Sequence, residues 1–555
     1  METKEYIVAL HKGVDYDQFW AEMENPTSGL PYIPDRAVSI YNDRNGLDRH
    51  CEYYLTDDEA EKLRNDPRVL GVEIPLELNP NVKITIATVQ SGNFTKPSGS
   101  QSATYSSGTN INWGLVRHSN IANVYGTGLT FSANTYQFAP DGTGVDVIIS
   151  DTGIQADHPE FQFLGNTTSR VKQINWYTTT GVSGLNGVNS YIDYNGHGTN
   201  VCGIATGKTY GWAKGADIYS IKSISGASGD TAASAIDTFQ AVKLWHQAKT
   251  NGRPTVLNMS WVVSYSYSDD ATIINNITSV GYRGTTYTSG TLISYGIHSD
   301  YYSEANGLQY ESLTTDAALD DLASAGVIVC RAAGNNGYKI DSSGGVDYNN
   351  YFYTSSYPGT RRYYHRGFSP KSTQTISVGS IDVTPYSASI DQKASYSCAG
   401  PGVDVFAAGT NIMSAGSSND SSGNTSTYFL NSSYKQFNDT GTSQASPQVA
   451  GMCALYLQAN PTATPAQVKN WLKTNANTSA LYTTGLTNDY SVTNSQFGGN
   501  AGVAYQAVQG LTQIKDNTGT WKYVANIKVK TDTNTWSNVR AIWTKVDSNT
   551  WKQSF

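Results

Sequence analysis

Charge is scarce in this chain. Asp, Glu, Lys and Arg make up 15% of 555 residues, and 37 basic against 45 acidic side chains leave a net charge of −8. No basic stripe stands out, which argues against a nucleic-acid partner. No apolar run approaches the roughly 18 residues needed to cross a bilayer, so no membrane span is expected. Residues 1–13 lack a basic region followed by a long apolar core and a small-residue cleavage site, so no ordinary export signal is expected there. Cysteine is also sparse: Cys51, Cys202, Cys330, Cys398 and Cys453 are an odd set, leaving at least one free thiol, and their spacings match no zinc motif. Most lie in apolar or small-residue runs and read as small buried hydrophobes.

What is abundant is neutral and polar. With 38 Tyr and 52 Gly, the surface is expected to be built largely from Tyr, Ser, Thr and Asn. The length exceeds one ordinary domain; at about 150 residues each it suggests three or four units, one of them large. Residues 1–80 combine strand signals (EYIVAL, RVLGVEI) with helical spacing at Tyr16, Phe19 or Trp20, and Met23. Thr56 and Glu59 form a capping-box pattern, and together these predict a small α+β domain. Residues 81–112, rich in Ser, Thr and Gly in their second half, read as a flexible linker. From 113 to 510, apolar strands such as VDVIIS, ADIYSIKSI, PTVLNMSW and GVIVCRAAGN alternate with helical runs, one carrying Ile236, Phe239, Val242 and Trp245 or His246. That alternation predicts an α/β domain with a doubly wound, mainly parallel sheet covered on both faces. Residues 511–555 place Trp521, Trp536 and Trp551 fifteen apart between alternating segments, which predicts a small β module.

The chain's chemistry gathers around GTSQASPQVAG at 441–451, where Ser443 opens an apolar, helix-like run. An alcohol is a nucleophile at neutral pH only if a neighbouring imidazole takes its proton. NGHGTN supplies that base in His197, and VDVIISDTG ends a strand on Asp151, placed to orient an imidazole and offset its charge. AAGN supplies Asn335, an amide donor suited to a developing oxyanion.

DTG, HGT and GTSxASP, in the order Asp, His, Ser, together with AAGN, resemble the subtilisin-like serine proteases. The resemblance implies a subtilisin-like three-layer fold and peptide hydrolysis through an acyl-enzyme. Asp151, His197 and Ser443 would be catalytic, Asn335 would form the oxyanion hole, and no cofactor would be required. It further implies that Ser260, Trp261, Ala333 and Gly334 line the substrate cleft. YYLTDDEAEKLRNDPRVLGVEIP, at the end of 1–80, is similar to inhibitory propeptides of that family, implying a proenzyme that is inhibited intramolecularly by its own propeptide and processes itself in or near the linker. Compared with the family pattern, insertions fall near 262–313 and 336–371. Asn200 and Gln448 replace common histidines, Gln444 a methionine and Ala408 a proline. Family members often bind calcium, and HPE at 158–160 resembles a segment contributing a carboxylate, making Glu160 a candidate for structural calcium; other metal ligands are unassigned. Cys202, just past the base, would let thiol reagents inhibit by bulk alone. The Trp-punctuated tail resembles C-terminal modules of phage tail and other virion proteins. Two functions follow: an active serine endopeptidase acting on polypeptides, or a structural or adhesive virion or assembly protein that keeps the fold and binds a particle partner through its tail. Location stays open between cytoplasm, virion and release by another route, and the preference for the residue preceding the cut bond is not legible.

Overall fold

The computed structural model describes residues 3–24 except 12, 38–42, 50–73, 82–97 except 87, 108–264 except 139, 273–297, 308–420 except 356–358 and 360, 425–477, 481–482, and strands between 512 and 553. The chain divides into two compact units, one formed by Met1–Ile86 with Gly510–Phe555 and the other by Ala87–Gln509.

The N-terminal part of the first unit runs β1 (Lys4–Leu10), α1 (Tyr16–Glu24), β2 (Ser39–Asn42), β3 (His50–Leu55), α2 (Asp57–Arg64), β4 (Val69–Glu73). Its strands lie in the antiparallel order β2-β3-β1-β4, a split βαβ arrangement of ferredoxin-like topology. Strand alternation puts Tyr6, Val8 and Leu10 on the face where Phe19, Trp20 and Met23 of α1 and Leu63 of α2 are buried. Both halves of the capping box form: Thr56 Oγ1 accepts from Glu59 N, and Glu59 returns a carboxylate to Thr56 N at 2.7 Å. Within the segment expected as a linker, Val82–Ile86 and Thr88–Ser91 are strands. VKITI alternates in the manner of a strand and pairs antiparallel with Trp521–Lys530, itself flanked by Thr512–Lys515 and Trp536–Asn538. Trp543–Asp547 and Thr550–Gln553 form a hairpin. Residues 98–107 of the expected linker lie outside the described residues.

The second unit is built on six parallel strands in the spatial order Val405–Ala408, Ile376–Ile381, Ile328–Ala332, Thr255–Met259, Asp146–Asp151, Asp217–Lys222. Alternating side chains feed two cores. Val147, Ile149, Cys330 and Val378 face the helices His197–Thr206 and Thr442–Ala459, while Ile148, Leu257 and Val329 face Ala235–Ala248 and Leu313–Ser324. This is the doubly wound three-layer α/β architecture expected from the strand pattern. In the helix 235–248 the expected stripe is buried at Phe239 and Val242, with Trp245 packed against the same core, while Ile236 is exposed and Thr238 and Ala241 complete the buried face. The second and first strands in chain order sit side by side and the third lies on the other side of the first, so the order of winding reverses beside Asp146–Asp151. Ligands of open α/β sheets bind at such a reversal, beyond the carboxyl ends of the strands.

The two stretches read as insertions do not fold separately. Ile277–Tyr282 and Thr285–Tyr287 from the first pair with Tyr351–Thr354 and Arg362–Tyr363 from the second in one four-stranded antiparallel sheet. Buried Val280 and Phe352 tie that sheet to the larger core.

Candidate active site

Asp151 ends the first parallel strand and is fully buried. Its Oδ1 lies 2.7 Å from His197 Nδ1 and accepts from Thr152 N at 2.8 Å, while Oδ2 is buried without a hydrogen-bond partner among the described residues. His197 is the first residue of its helix, and the local glycines explain why. Gly196 enters the helix at φ +90°, a conformation that L side chains rarely adopt. A Cβ on Gly198 would lie 2.1 Å from the Gly153 carbonyl oxygen, so only glycine lets the helix start this close to the Asp151 strand.

A second carboxylate holds this helix end. Asp193 Oδ1 accepts from the amides of Asn195 (3.1 Å) and Gly196 (2.9 Å) and from Thr152 Oγ1 (2.9 Å). Its Oδ2 accepts from Thr199 N (2.9 Å) and Thr199 Oγ1 (2.6 Å). Asp193 lies outside the quoted motifs, yet an acid four residues before a histidine that begins a helix is the expected signature of a carboxylate serving orphan N-terminal amides.

The half-buried imidazole of His197 feels opposing influences. Burial disfavours its charged form, but the Asp151 carboxylate, by charge and hydrogen bond, together with Asp439 and Asp193, outweighs burial and lifts its pKa to about 9. A histidine raised in the folded state contributes stability that is complete below its unfolded value, about 6.5, and is lost as pH rises through about 9. The contribution is on the order of 3 kcal/mol. Urea melts between pH 6 and 10 are expected to show this loss in the wild type and a flatter profile in His197→Ala.

Ser443 is the second residue of the helix Thr442–Ala459. Its hydroxyl donates to the Ser260 carbonyl at 2.8 Å, and Ser260 Oγ donates to the Ser443 carbonyl at 2.7 Å. Ser443 and His197 are therefore not joined by a hydrogen bond in this conformation. Their helices are tied through the residue after Ser443, where Gln444 Nε2 reaches Asn200 Oδ1 (3.3 Å), three residues past His197, and also Asp439 Oδ2 (2.9 Å). Asn335, just beyond the strand Ile328–Ala332, is fixed through its oxygen, which accepts from Thr442 N (2.8 Å) and Thr442 Oγ1 (2.9 Å). Thr442 Oγ1 in turn accepts from Gly334 N at 3.1 Å. Both donors to Asn335 Oδ1 being fixed, Nδ2 is left as the open end of the amide, and a Cβ added to Gly441 would lie 3.1 Å from it. Among the described residues, neither Asn335 Nδ2 nor the Ser443 N–H donates to a protein acceptor.

The other residues expected along the cleft play varied parts. Ser260 clasps Ser443 as described. The Trp261 ring stacks on Phe239 and its Nε1 donates to Ser150 Oγ at 3.0 Å, so the indole packs under the sheet's other face. Ala333 and Gly334 are buried. Gly334, at φ +112°, has Cys398 and Phe368 pressed against its open side. The family departures fall into two buried pairs, Gln444 with Asn200 and Gln448 with Ala408; Gln448 Oε1 accepts from Trp212 Nε1 (2.6 Å) and Asn112 Nδ2 (3.0 Å), and its Nε2 donates to Asn112 Oδ1 (2.9 Å) and to the Ala408 carbonyl (3.3 Å). Ala408 N donates to His118 Nε2 at 2.8 Å, a bond a proline there could not make. Cys202 is fully buried and its thiol is pushed up to about 12 by burial, so a thiol reagent meets a protonated, inaccessible sulfur, contrary to the expectation of easy blockage. Glu160 does not fit the calcium role. Its Oε1 accepts from Tyr428 OH (2.6 Å) and its Oε2 from Thr209 N (2.8 Å) and Tyr210 N (3.2 Å), so both oxygens are occupied by protein donors.

The chain is 27% identical over 359 residues to a cuticle-degrading serine protease of Arthrobotrys oligospora, covering 64% of this chain and 61% of that protein. It is 26% identical over 494 residues to alkaline serine exoprotease A of Vibrio alginolyticus, covering 88% and 66%. It thus spans a little under two thirds of the length of these relatives. A cold adapted subtilisin-like serine proteinase of known crystal structure is 22% identical, with a TM-score of 0.43, covering 71% of this chain and 98% of that one. The sequence profile of the Subtilase family matches residues 142–502, a stretch containing all four of Asp151, His197, Asn335 and Ser443, and the chain belongs to that family.

Proposed function

We propose that this chain is a serine endopeptidase that acts through Asp151, His197 and Ser443. The observation that carries the reading is the 2.7 Å contact of a fully buried Asp151 with His197 Nδ1, which fixes one tautomer and leaves Nε2 to act as base. In the proposed step Ser443 turns about its Cα–Cβ bond, giving up one hydrogen bond to Ser260 worth about 1 kcal/mol, and presents its proton to that base. Its oxygen attacks a peptide carbonyl, His197 carries the proton to the leaving amine, and water resolves the acyl-enzyme. Asn335 Nδ2 and the Ser443 N–H receive the oxyanion, aided by the partial positive charge at the helix start.

Asn335→Leu is expected to lower kcat about 100- to 1,000-fold with little change in KM, because the lost donor acts on charge present only in the transition state. That magnitude is the one known for subtilisin itself, carried over to this chain. Steady-state kinetics on a chromogenic peptide amide checks it; an equal rise in KM would instead assign Asn335 to ground-state binding.

The ferredoxin-like domain is read as a propeptide, supported by its place ahead of the Subtilase region and its compact core, and the C-terminal strands as an attachment module. The N-terminus of purified protein tests the first point. A cut in or near residues 81–112 that disappears in Ser443→Ala is expected, and an identical cut in both forms would mean that another protease makes it.

A further inference from the structure

Arg331 stands at an unusual place for a cation. It lies in the parallel strand Ile328–Ala332 between Cys330 and Ala332, with only 5% of its surface exposed. Its Nε donates to Thr375 Oγ1 at 3.2 Å, but Nη1 is buried without a hydrogen-bond partner, and Arg331 forms no ion pair among the described residues. Burying an uncompensated guanidinium is costly, so a partner is expected.

The side chain lines a cleft of about 560 Å³ bordered by the helices Leu313–Ser324 and Pro465–Asn475 and by Pro401–Asp404. The nearby acids are already committed. Asp404 is paired with Lys469 at 3.0 Å and Lys473 at 3.4 Å. Asp316 is paired with Lys371 at 2.9 Å. Asp341 accepts from the amides of Ser342 and Asp347, and Asp320 from the Ser372 hydroxyl. Of the five cations that line the cleft, Arg366 is paired with Glu311 at 3.0 Å and the three lysines with Asp316 or Asp404, so Arg331 is the one without an ion pair among the described residues, and a guanidinium with Nε engaged still has Nη donors for an oxyanion.

We propose that this cleft is a binding site for a small oxyanion, held by Arg331 with Lys473 at its rim. The site is distinct from the Asp151–His197 centre and does not depend on the peptidase reading. A bound anion would neutralise the strand that leads into Asn335 and so stabilise the domain. Inorganic phosphate and a small carboxylate share the required chemistry.

The test uses the full chain carrying Ser443→Ala, melted and titrated calorimetrically at pH 7 with sodium phosphate, sodium acetate or sodium chloride at equal ionic strength. A Tm rise of about 3–6 °C is expected once the favoured oxyanion reaches about a hundred times its Kd. The rise should vanish in Arg331→Met, and binding should weaken about tenfold in Lys473→Ala, the variant that serves if Arg331→Met does not fold. A response to phosphate alone or acetate alone identifies the source. No rise over chloride with no binding heat, or an equal rise in both variants, would overturn the proposal and leave water as the partner of Nη1.

Discussion

Replacing Ser443 by alanine is expected to reduce kcat on a peptide amide about a millionfold, while the folded structure and KM change little. The magnitude is that of subtilisin, a member of the family, carried over to this chain. The physical reason is that the reaction has no other nucleophile of comparable placement. Water reaching the carbonyl would still enjoy the Asn335 amide and the Ser443 N–H, so a residue of catalysis about a thousandfold or more above solution should survive. The structure makes the fold side of the prediction specific. The Ser443 hydroxyl gives one hydrogen bond to Ser260, whose own hydroxyl bonds the backbone of residue 443 and is untouched by the change. Thr442, which fixes Asn335, is likewise untouched. Thermal melting should therefore move by no more than a few degrees, for a loss of about 1 kcal/mol. A large loss of stability would mean that Ser443 is chiefly a structural link to the Ser260 strand.

Asp151→Asn is expected to lower kcat about ten thousandfold, the figure known for the same triad on an unrelated protease fold. The carboxamide is nearly the same size and fits the same buried place, so the loss is electronic. An amide can present its NH2 group to His197 Nδ1 and stabilise the wrong tautomer, leaving Nε2 protonated and unable to accept from Ser443. It also removes the carboxylate that outweighs burial in raising His197 to about 9. The acid limb of kcat/KM should therefore lie near pH 9 in the wild type and move to lower pH in Asp151→Asn, since burial then acts with less opposition. A mutant whose rate fell but whose acid limb stayed near pH 9 would show that Asp151 does not control the imidazole.

The residues proposed for this site are legible because each announces itself locally. A strand ends on Asp151, glycines surround His197, and a small-residue turn opens the Ser443 helix; such short signatures need no long-range information. Asn112, Trp212 and Gln448 were not legible as partners, because their hydrogen bonds join residues up to 336 positions apart and no periodicity reports such a meeting. The same holds for Val82–Ile86, whose alternation marks a strand but not its pairing with Trp521–Lys530, and for the two Tyr-rich stretches that complete one sheet together. Trp261 illustrates a different limit. Its position next to Ser260 suggested a cleft wall, but an indole on the carboxyl end of a strand can turn to either face, and here Phe239 and Ser150 decide it. Asp193 carries a weaker signal, an acid ahead of a helix, than the histidine between two glycines beside it.

The account depends on Ser443 being activated by His197 across a gap that no hydrogen bond spans in the resting conformation. Labelling with a fluorophosphonate, with the adduct mapped by peptide mass spectrometry and its rate measured in wild type and His197→Ala, tests this most directly. The account predicts rapid modification at Ser443 that slows at least a thousandfold without the imidazole. Modification of Ser443 at the same rate in both proteins, or an adduct on a different serine, would contradict it.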